Sequence, residues 1–365
     1  MRHTIRPGDR VLDLGAGLGT YAFLAADAGA GRVWAVDGHP VIHVAKTVAQ
    51  LNGYGDRVTF LRGWIPETVP PEPADVVIFE DFPPRLLDAR VWRMLRDLRP
   101  ATVRSGARFV PSGARILAAP LESDALAAEL TLDRETLRHG LDWEATRSYV
   151  SNQPHSVTIP LEALLGEGAV LASFAFGEPL DGASLGGEAA VQVRRDGQVH
   201  GLAYWFELEL GGGERLSNQP GAAPASWGQL YLPVDPPLPV AAGETVRLKV
   251  RPERLADGAP GWLAWEVATR SEHRRGHEFQ AAPLGLEDLR SASGDVVPCL
   301  NDLGRLTVEA LALVDGKRTA REITDVLAAQ RPGIPRLSLE ALVVRQFRGR
   351  IVSGPGRAQE DEPDE

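Results

Sequence analysis

The chain has 365 residues, 44 % of them hydrophobic, and a net charge of −10, which suits two or three domains with real cores and argues against a general nucleic-acid binder. Half of that charge lies in the last six residues, where Glu360, Asp361, Glu362, Asp364 and Glu365 contribute −5. A lone Cys299 excludes an internal disulfide framework and a cysteine zinc site, and no signal peptide or apolar run of membrane-spanning length appears, so a cytoplasmic, metal-free protein is expected.

Apolar Val11 to Leu14 read as a short buried strand, and Gly15, Gly17 and Gly19 then let the backbone turn tightly and approach a ligand with no Cβ in the way. Tyr21 to Ala30 read as a helix whose N-terminus faces that turn. Arg32 to Val36 give a second strand, with Asp37 at its tip, where a carboxylate can grip two ribose hydroxyls. A helix is expected over His39 to Asn52, a third strand over Arg57 to Arg62, and a fourth over Ala74 to Phe79, ending in Glu80. Leu86 to Leu98 look helical, and Arg108-Phe109-Val110 begin another strand. This alternation predicts a doubly wound parallel sheet over 1–112, with its nucleotide crevice at the glycine turn.

From about Gly113 the texture changes. Ser123 to His139 have helical spacing. Short strands follow at Ala169 to Phe176, Ala189 to Arg194, Gly201 to Leu210, Gln229 to Val234 and Thr245 to Val250, an all-β unit of barrel or sandwich type over 113–283. His273 and His277 have i,i+4 spacing, but Gly276 disfavours a helix there and no third ligand is evident, so no metal site is expected. Over 284–354 the pattern turns helical. Asp302 to Leu313 form one helix, Asp315-Gly316 break it, Thr319 with Glu322 opens a second by a capping box, and Ser338 caps a third that runs to Phe347. Arg350-Ile351-Val352 suggest a terminal strand, and the acidic tail 355–365 is expected to be disordered.

A dinucleotide site wants G-x-G-x-x-G. Here the third glycine comes one residue early, and Thr20 stands where that site wants glycine. The run Val11 to Thr20 instead resembles motif I of the class I S-adenosylmethionine (SAM) methyltransferases, whose loop packs on the methionine part of the cofactor. A bound dinucleotide and a purely structural turn remain the competing readings.

The resemblance sharpens further along. Val191 to Phe206, Ala225-Ser226-Trp227, Gln229 to Leu232 and the turn Pro236 to Val240 are similar to the barrel strands of the protein arginine methyltransferases. That resemblance, from about Arg6 to Ala268, implies a Rossmann-like SAM-binding domain, a β-barrel substrate domain and transfer of methyl to a guanidine nitrogen of arginine in a protein or peptide. It implies Asp13, Gly15, Gly17, Gly19, Asp37 and Ile65 at the cofactor, with Glu80 facing both the cofactor and the substrate. Two carboxylates can hold a guanidinium and align one nitrogen with the sulfonium methyl, and positioning of this kind is worth about 7 kcal/mol or more. Glu80 matches the family's first glutamate. The second, nine residues on, falls on Ala89, with Asp88 adjacent and Asp81 nearby. The family's Thr-His-Trp loop reads Ala225-Ser226-Trp227, so Ser226 replaces a titratable histidine while Trp227 still walls an arginine slot. The family's acidic contact to the adenine amine falls on Pro66, which leaves backbone groups near Ile65 for that work.

Family members place a helical lid before the first strand, whereas ten residues precede Val11 here. A true start upstream of Met1, a lid from a partner and weak cofactor binding are the three alternatives. Family members also dimerise through an arm from the barrel, for which Ser123 to Trp143 is the candidate in a homodimer. Residues 298–352 resemble small winged-helix modules that bind leader peptides in peptide-modifying pathways, on Leu300-Asn301, Asp315-Gly316, Arg318-Thr319 and the Leu339 to Phe347 helix. A helical cap and a DNA-reading winged helix compete with that reading. The rivals to arginine methylation are transfer to a different nucleophile and a non-catalytic SAM- or peptide-binding subunit on the same scaffold.

Overall fold

A computed structural model describes residues 1–98, 100–130, 143–222, 226–286 and 297–347, and the chain divides into two units, Met1–Pro283 and Leu284–Glu365. The first unit opens with β1 (Arg10–Leu14), α1 (Thr20–Asp27), β2 (Arg32–Asp37), α2 (Ile42–Leu51), β3 (Val58–Arg62), β4 (Ala74–Phe79), α3 (Ala89–Arg96) and β5 (Val103–Val110). Its strands form a five-stranded sheet in the order β3-β2-β1-β4-β5, parallel throughout. The chain winds outward from β1 to β3 and then crosses back to β4. The order therefore reverses between β1 and β4, which opens a crevice beyond their C-terminal ends.

Strand periodicity sends alternate residues to opposite faces. Val11, Val33, Ala35, Val76 and Ile78 pack with Ala22, Ala25, Ala26, Ile42, Ala45 and Ala49 of α1 and α2. The intervening Leu12, Leu14, Trp34, Val36, Val77 and Phe79 join Val91 and Trp92 of α3 in a core that runs on into the β-rich part. Small alanines on α1 and α2 let those helices lie close on the sheet, and the two-sided burial explains why β1, β2 and β4 read as nearly continuous apolar runs.

The β-rich part comprises β6 (Gly113–Leu121), α4 (Asp124–Leu130), α5 (Arg147–Ser151), β7 (His155–Val157), β8 (Ala169–Ala175), β9 (Gly187–Gln192), β10 (Gly197–Gly211), β11 (Glu214–Ser217), β12 (Gln229–Val240), β13 (Thr245–Arg254), β14 (Pro260–Ala268) and β15 (His273–His277). Its pairings do not close into the expected barrel. They form a six-stranded sheet, β7-β12-β10-β6-β8 with β11 on β10, and a four-stranded sheet, β15-β14-β13-β9. Inward residues of both sheets, such as Leu202, Tyr204 and Phe206 from β10 and Val246, Leu248 and Val250 from β13, share one core. His273 and His277 lie on β15 and pair with Glu266 and Glu253, and no metal-binding group occurs among the described residues. Of the helix expected over Ser123 to His139, α4 covers the first part, and 131–142 lie outside the described residues.

The second unit holds α6 (Asp302–Ala312), α7 (Ala320–Gln330) and α8 (Arg336–Phe347), packed on Ala310, Ile323, Leu327, Leu339 and Val343. The Thr319–Glu322 capping box is formed. The third helix starts two residues before Ser338, which therefore sits in its first turn and is no cap, because the helix begins directly after Pro335. The expected strand at 350–352 and the acidic tail at 355–365 lie outside the described residues.

Candidate active site

The glycine turn after β1 is tied back to β2. The Gly15 and Ala16 amides donate to the Val36 carbonyl at 2.9 and 3.1 Å. Gly15, Gly17 and Gly19 adopt φ of +72°, +52° and +86°, a region that costs a residue with a Cβ but not glycine. At Gly17 a Cβ would meet nothing within 4 Å, so the turn faces open space. At Gly19 it would lie 2.9 Å from the Phe60 ring, so that glycine serves close packing.

Asp37 ends β2 and closes the turn. Its Oδ2 accepts from the Gly17 amide at 2.8 Å and its Oδ1 from the His39 amide at 2.7 Å. A carboxylate offers about four lone-pair sites. Each oxygen therefore keeps accepting capacity for a ligand hydroxyl, and this pair of acceptors fits the two hydroxyls of a ribose diol.

Asp13, which the family resemblance places at the cofactor, lies near the end of β1. It is 1 % exposed, and neither carboxylate oxygen has a hydrogen-bond partner. Burial, reinforced by the negative Asp37, pushes its carboxyl up to about 7. The Ala22 amide of α1 opposes that rise without completing a bond of ordinary geometry. This is an uncompensated buried acid directly behind the crevice.

Across the crevice, Glu80 leaves β4 half-buried. Burial and then the neighbouring Asp81 raise its carboxyl above the ordinary glutamate range. Tyr21, in the first turn of α1, feels the same groups, its phenol being raised by burial, then Glu80, then Asp13. Sequence reasoning treated Tyr21 only as a helix starter. The segment after Glu80 is held firmly: Arg85 forms a two-armed ion pair with Glu278 at 2.6 and 3.1 Å, the Tyr204 hydroxyl donates to the Arg85 carbonyl, and Leu86 takes a left-handed φ of 71°. That bend delays α3 to Ala89, three residues later than expected.

The candidate second carboxylates are both engaged. Asp88 is the N-cap of α3, its Oδ1 accepting from the Val91 amide at 2.8 Å, which is a capping role. Asp81 pairs with Arg90 at 2.8 Å on the surface. Glu80 is the carboxylate that faces the crevice without such a partner.

From the β-rich part, Trp227 reaches this same place. Its ring lies 5.4 Å from Phe206 and 6.4 Å from Phe82, two residues beyond Glu80. The loop carrying it is fixed by buried Asn218, which accepts from the Phe206 amide at 2.9 Å and donates to the Gly228 carbonyl at 2.8 Å. Gln229 in turn donates to the Asn218 carbonyl and accepts from the Ile159 amide. These amides carried no recognisable signal in the sequence, because their roles depend on long-range partners. Ser226 is exposed beside Trp227, and Ala225 lies outside the described residues. Ile65 is half-buried and packs on the main core, below the exposed Trp64.

The chain matches known proteins on both parts of this arrangement. Residues 1–145 match the ribosomal protein L11 methyltransferase (PrmA) family. An arginine N(omega)-methyltransferase of Streptomyces achromogenes subsp. streptozoticus is 31 % identical over 255 residues, spanning 67 % of this chain and 69 % of that protein. The histone-arginine methyltransferase CARMER of Drosophila persimilis is 25 % identical over 253 residues, spanning 66 % of this chain and about half (47 %) of that protein. Among solved structures, the Trypanosoma brucei PRMT1 enzyme-prozyme heterotetrameric complex with AdoHcy aligns with a TM-score of 0.67 at 22 % identity, over 76 % of this chain and 90 % of that chain. Arabidopsis thaliana protein arginine methyltransferase 10 aligns with a TM-score of 0.63 at 18 % identity, over 76 % and 91 %. The structural matches establish the shared fold, a Rossmann-like domain followed by a β-rich one, and the Streptomyces relative shows that the chain belongs to the arginine N-methyltransferase family.

Proposed function

We propose that this protein is a SAM-dependent methyltransferase acting on a guanidine nitrogen of arginine in a protein or peptide. The observation that carries the reading is the approach of the Trp227 ring to Phe82, two residues beyond Glu80, at 6.4 Å, on the sheet whose glycine turn Asp37 closes. SAM supplies a methyl group already activated on a cationic sulfur. The rest is positioning. Asp37 takes the ribose hydroxyls, and Gly15 and Gly17 allow the cofactor to lie close to the backbone, with Ile65 supporting its far end. Glu80 holds the substrate guanidinium by charge-assisted hydrogen bonds and turns one nitrogen toward the methyl. Trp227 stacks on the guanidinium face, and exposed Ser226 borders the entrance. Asp13 contributes negative potential behind a cofactor that carries positive charge. Asp88 belongs to the α3 cap in this reading, so Glu80 works without the family's second glutamate.

Incubating the full chain with methyl-labelled SAM and an arginine-rich peptide tests this. Label on a guanidine nitrogen is expected, and Glu80→Gln should abolish most of it. Label on a different nucleophile would redirect the substrate assignment. Tight SAM binding with no transfer to any acceptor would favour the second reading, a binding subunit, which the engaged Asp81 and Asp88 and the alanine at position 89 support.

The domain division that fits this reading is 1–112 for cofactor, 113–283 for substrate and 284–354 for substrate delivery, in a cytoplasmic homodimer. The three-helix unit exposes Leu303, Val308 and Leu337, as a winged-helix-like module that docks a leader peptide would. Replacing Leu337 with Asp should weaken methylation of a long precursor peptide and leave a short arginine peptide unaffected.

A further inference from the structure

The structure places a large exposed aromatic beside the ribose carboxylate, one residue before Ile65. Trp64 follows β3 and is 42 % exposed. β2 and β3 pair in register Asp37↔Arg62, which sets Gly63 and Trp64 opposite Gly38 and His39. The Gly63 amide donates to the Asp37 carbonyl at 3.0 Å, and the Trp64 carbonyl accepts from the Thr68 amide at 2.7 Å. The turn is therefore anchored on both sides of the indole.

The indole lies flush against Gly38. A Cβ at that position would sit 1.9 Å from the indole Cε2, so only glycine admits the ring there. His39 completes the surface, its imidazole 5.4 Å from the indole and nearly perpendicular at 79°. The His39 amide is held by the same Asp37 carboxylate proposed to bind the ribose. In an adenosine the base is attached directly to the ribose. A carboxylate-held ribose therefore carries its purine to whatever flanks Asp37, and here that is an aromatic shelf.

We propose that Trp64, seated on Gly38 and edged by His39, is a cofactor-binding residue that receives the adenine of SAM by stacking. This rests on the SAM reading above. It also explains how a site with Pro66 at the position of the family's adenine-contacting acid can still hold the base: stacking is tolerant of the hydrogen-bonding edge, and loses only the discrimination that an acid would add.

The test is a calorimetric titration of SAM into the full-length protein, with tryptophan fluorescence followed in parallel. Trp64→Ala should bind SAM about tenfold more weakly or worse, consistent with base–aromatic stacking of about 1–3 kcal/mol. Trp64→Phe should stay within a few-fold of the native protein, which separates stacking from a mere loss of fold. Gly38→Ala should weaken binding by displacing the ring. The native fluorescence should be quenched on binding, with that quench largely lost in Trp64→Phe. Native-like affinity in Trp64→Ala, or an unchanged quench in Trp64→Phe, would overturn the proposal and leave the SAM reading standing. No SAM uptake by the native protein would overturn both.

Discussion

Two carboxylates behave differently because of what surrounds them. Glu80 needs its charge to hold a guanidinium, yet burial and Asp81 raise its carboxyl. Its ionised fraction, and hence kcat/KM on an arginine peptide, should therefore fall on acidification at a higher pH than an ordinary glutamate would give. Glu80→Gln should remove that limb, lower kcat about a hundredfold through lost alignment, and leave SAM affinity within a few-fold. Asp13 has no partner and a carboxyl pushed up to about 7. A carboxyl raised in the folded state costs stability progressively as pH climbs from its unfolded value to the folded one, and the full cost persists above it. In the cofactor-free protein, Asp13→Asn should thus be more stable than native at pH ~8, by an amount on the order of 4 kcal/mol or less, with the gain vanishing near pH ~4. Chemical denaturation at the two pH values checks this. The positive-φ glycine turn and the place of Asp37 at the tip of β2 were legible in the sequence because they are local features. The lack of hydrogen-bond partners at Asp13 is a tertiary fact that spacing cannot carry.

Elements with strong local punctuation were readable. β4 falls on Ala74–Phe79 as its apolar run predicts, and the Thr319–Glu322 box opens α7. Thr319→Ala should lower the melting midpoint of the helical unit through a loss of about 1 kcal/mol. Where a fold-level contact decides, the pattern misleads. α3 starts late because the Arg85–Glu278 pair and the left-handed Leu86 hold the preceding segment in a turn, with the Leu86 amide donating to the Pro83 carbonyl at 2.8 Å. β15, with the sequence His273-Arg-Arg-Gly-His277, has no apolar alternation. It is a strand because it edges β14, and Gly276 leaves room for the Trp265 ring, where a Cβ would sit 2.2 Å away. The Asn218 network is a further case. Asn218→Ala would leave the buried Phe206 amide without an acceptor, a cost of about 1–3 kcal/mol, and would loosen Trp227. Peptide titrations should show a raised KM with SAM affinity unchanged.

Within the unit Met1–Pro283, one apolar core runs from the parallel sheet into both antiparallel sheets. That continuity brings the loop after β4, through Phe82, within 6.4 Å of the Trp227 ring, and a fixed arrangement of such loops is what a reaction dominated by alignment requires. The two-part architecture was legible, because alternating strand–helix texture gives way to short strands near Gly113. Barrel closure was not, since it depends on which edges pair and the described strands resolve into two sheets. The most direct test of the account is the rate at which the full chain moves labelled methyl from SAM to an arginine side chain, compared between native protein and Glu80→Gln. The account predicts methylarginine from the native protein and about a hundredfold slower formation by the variant at matched cofactor occupancy; equal rates would contradict it.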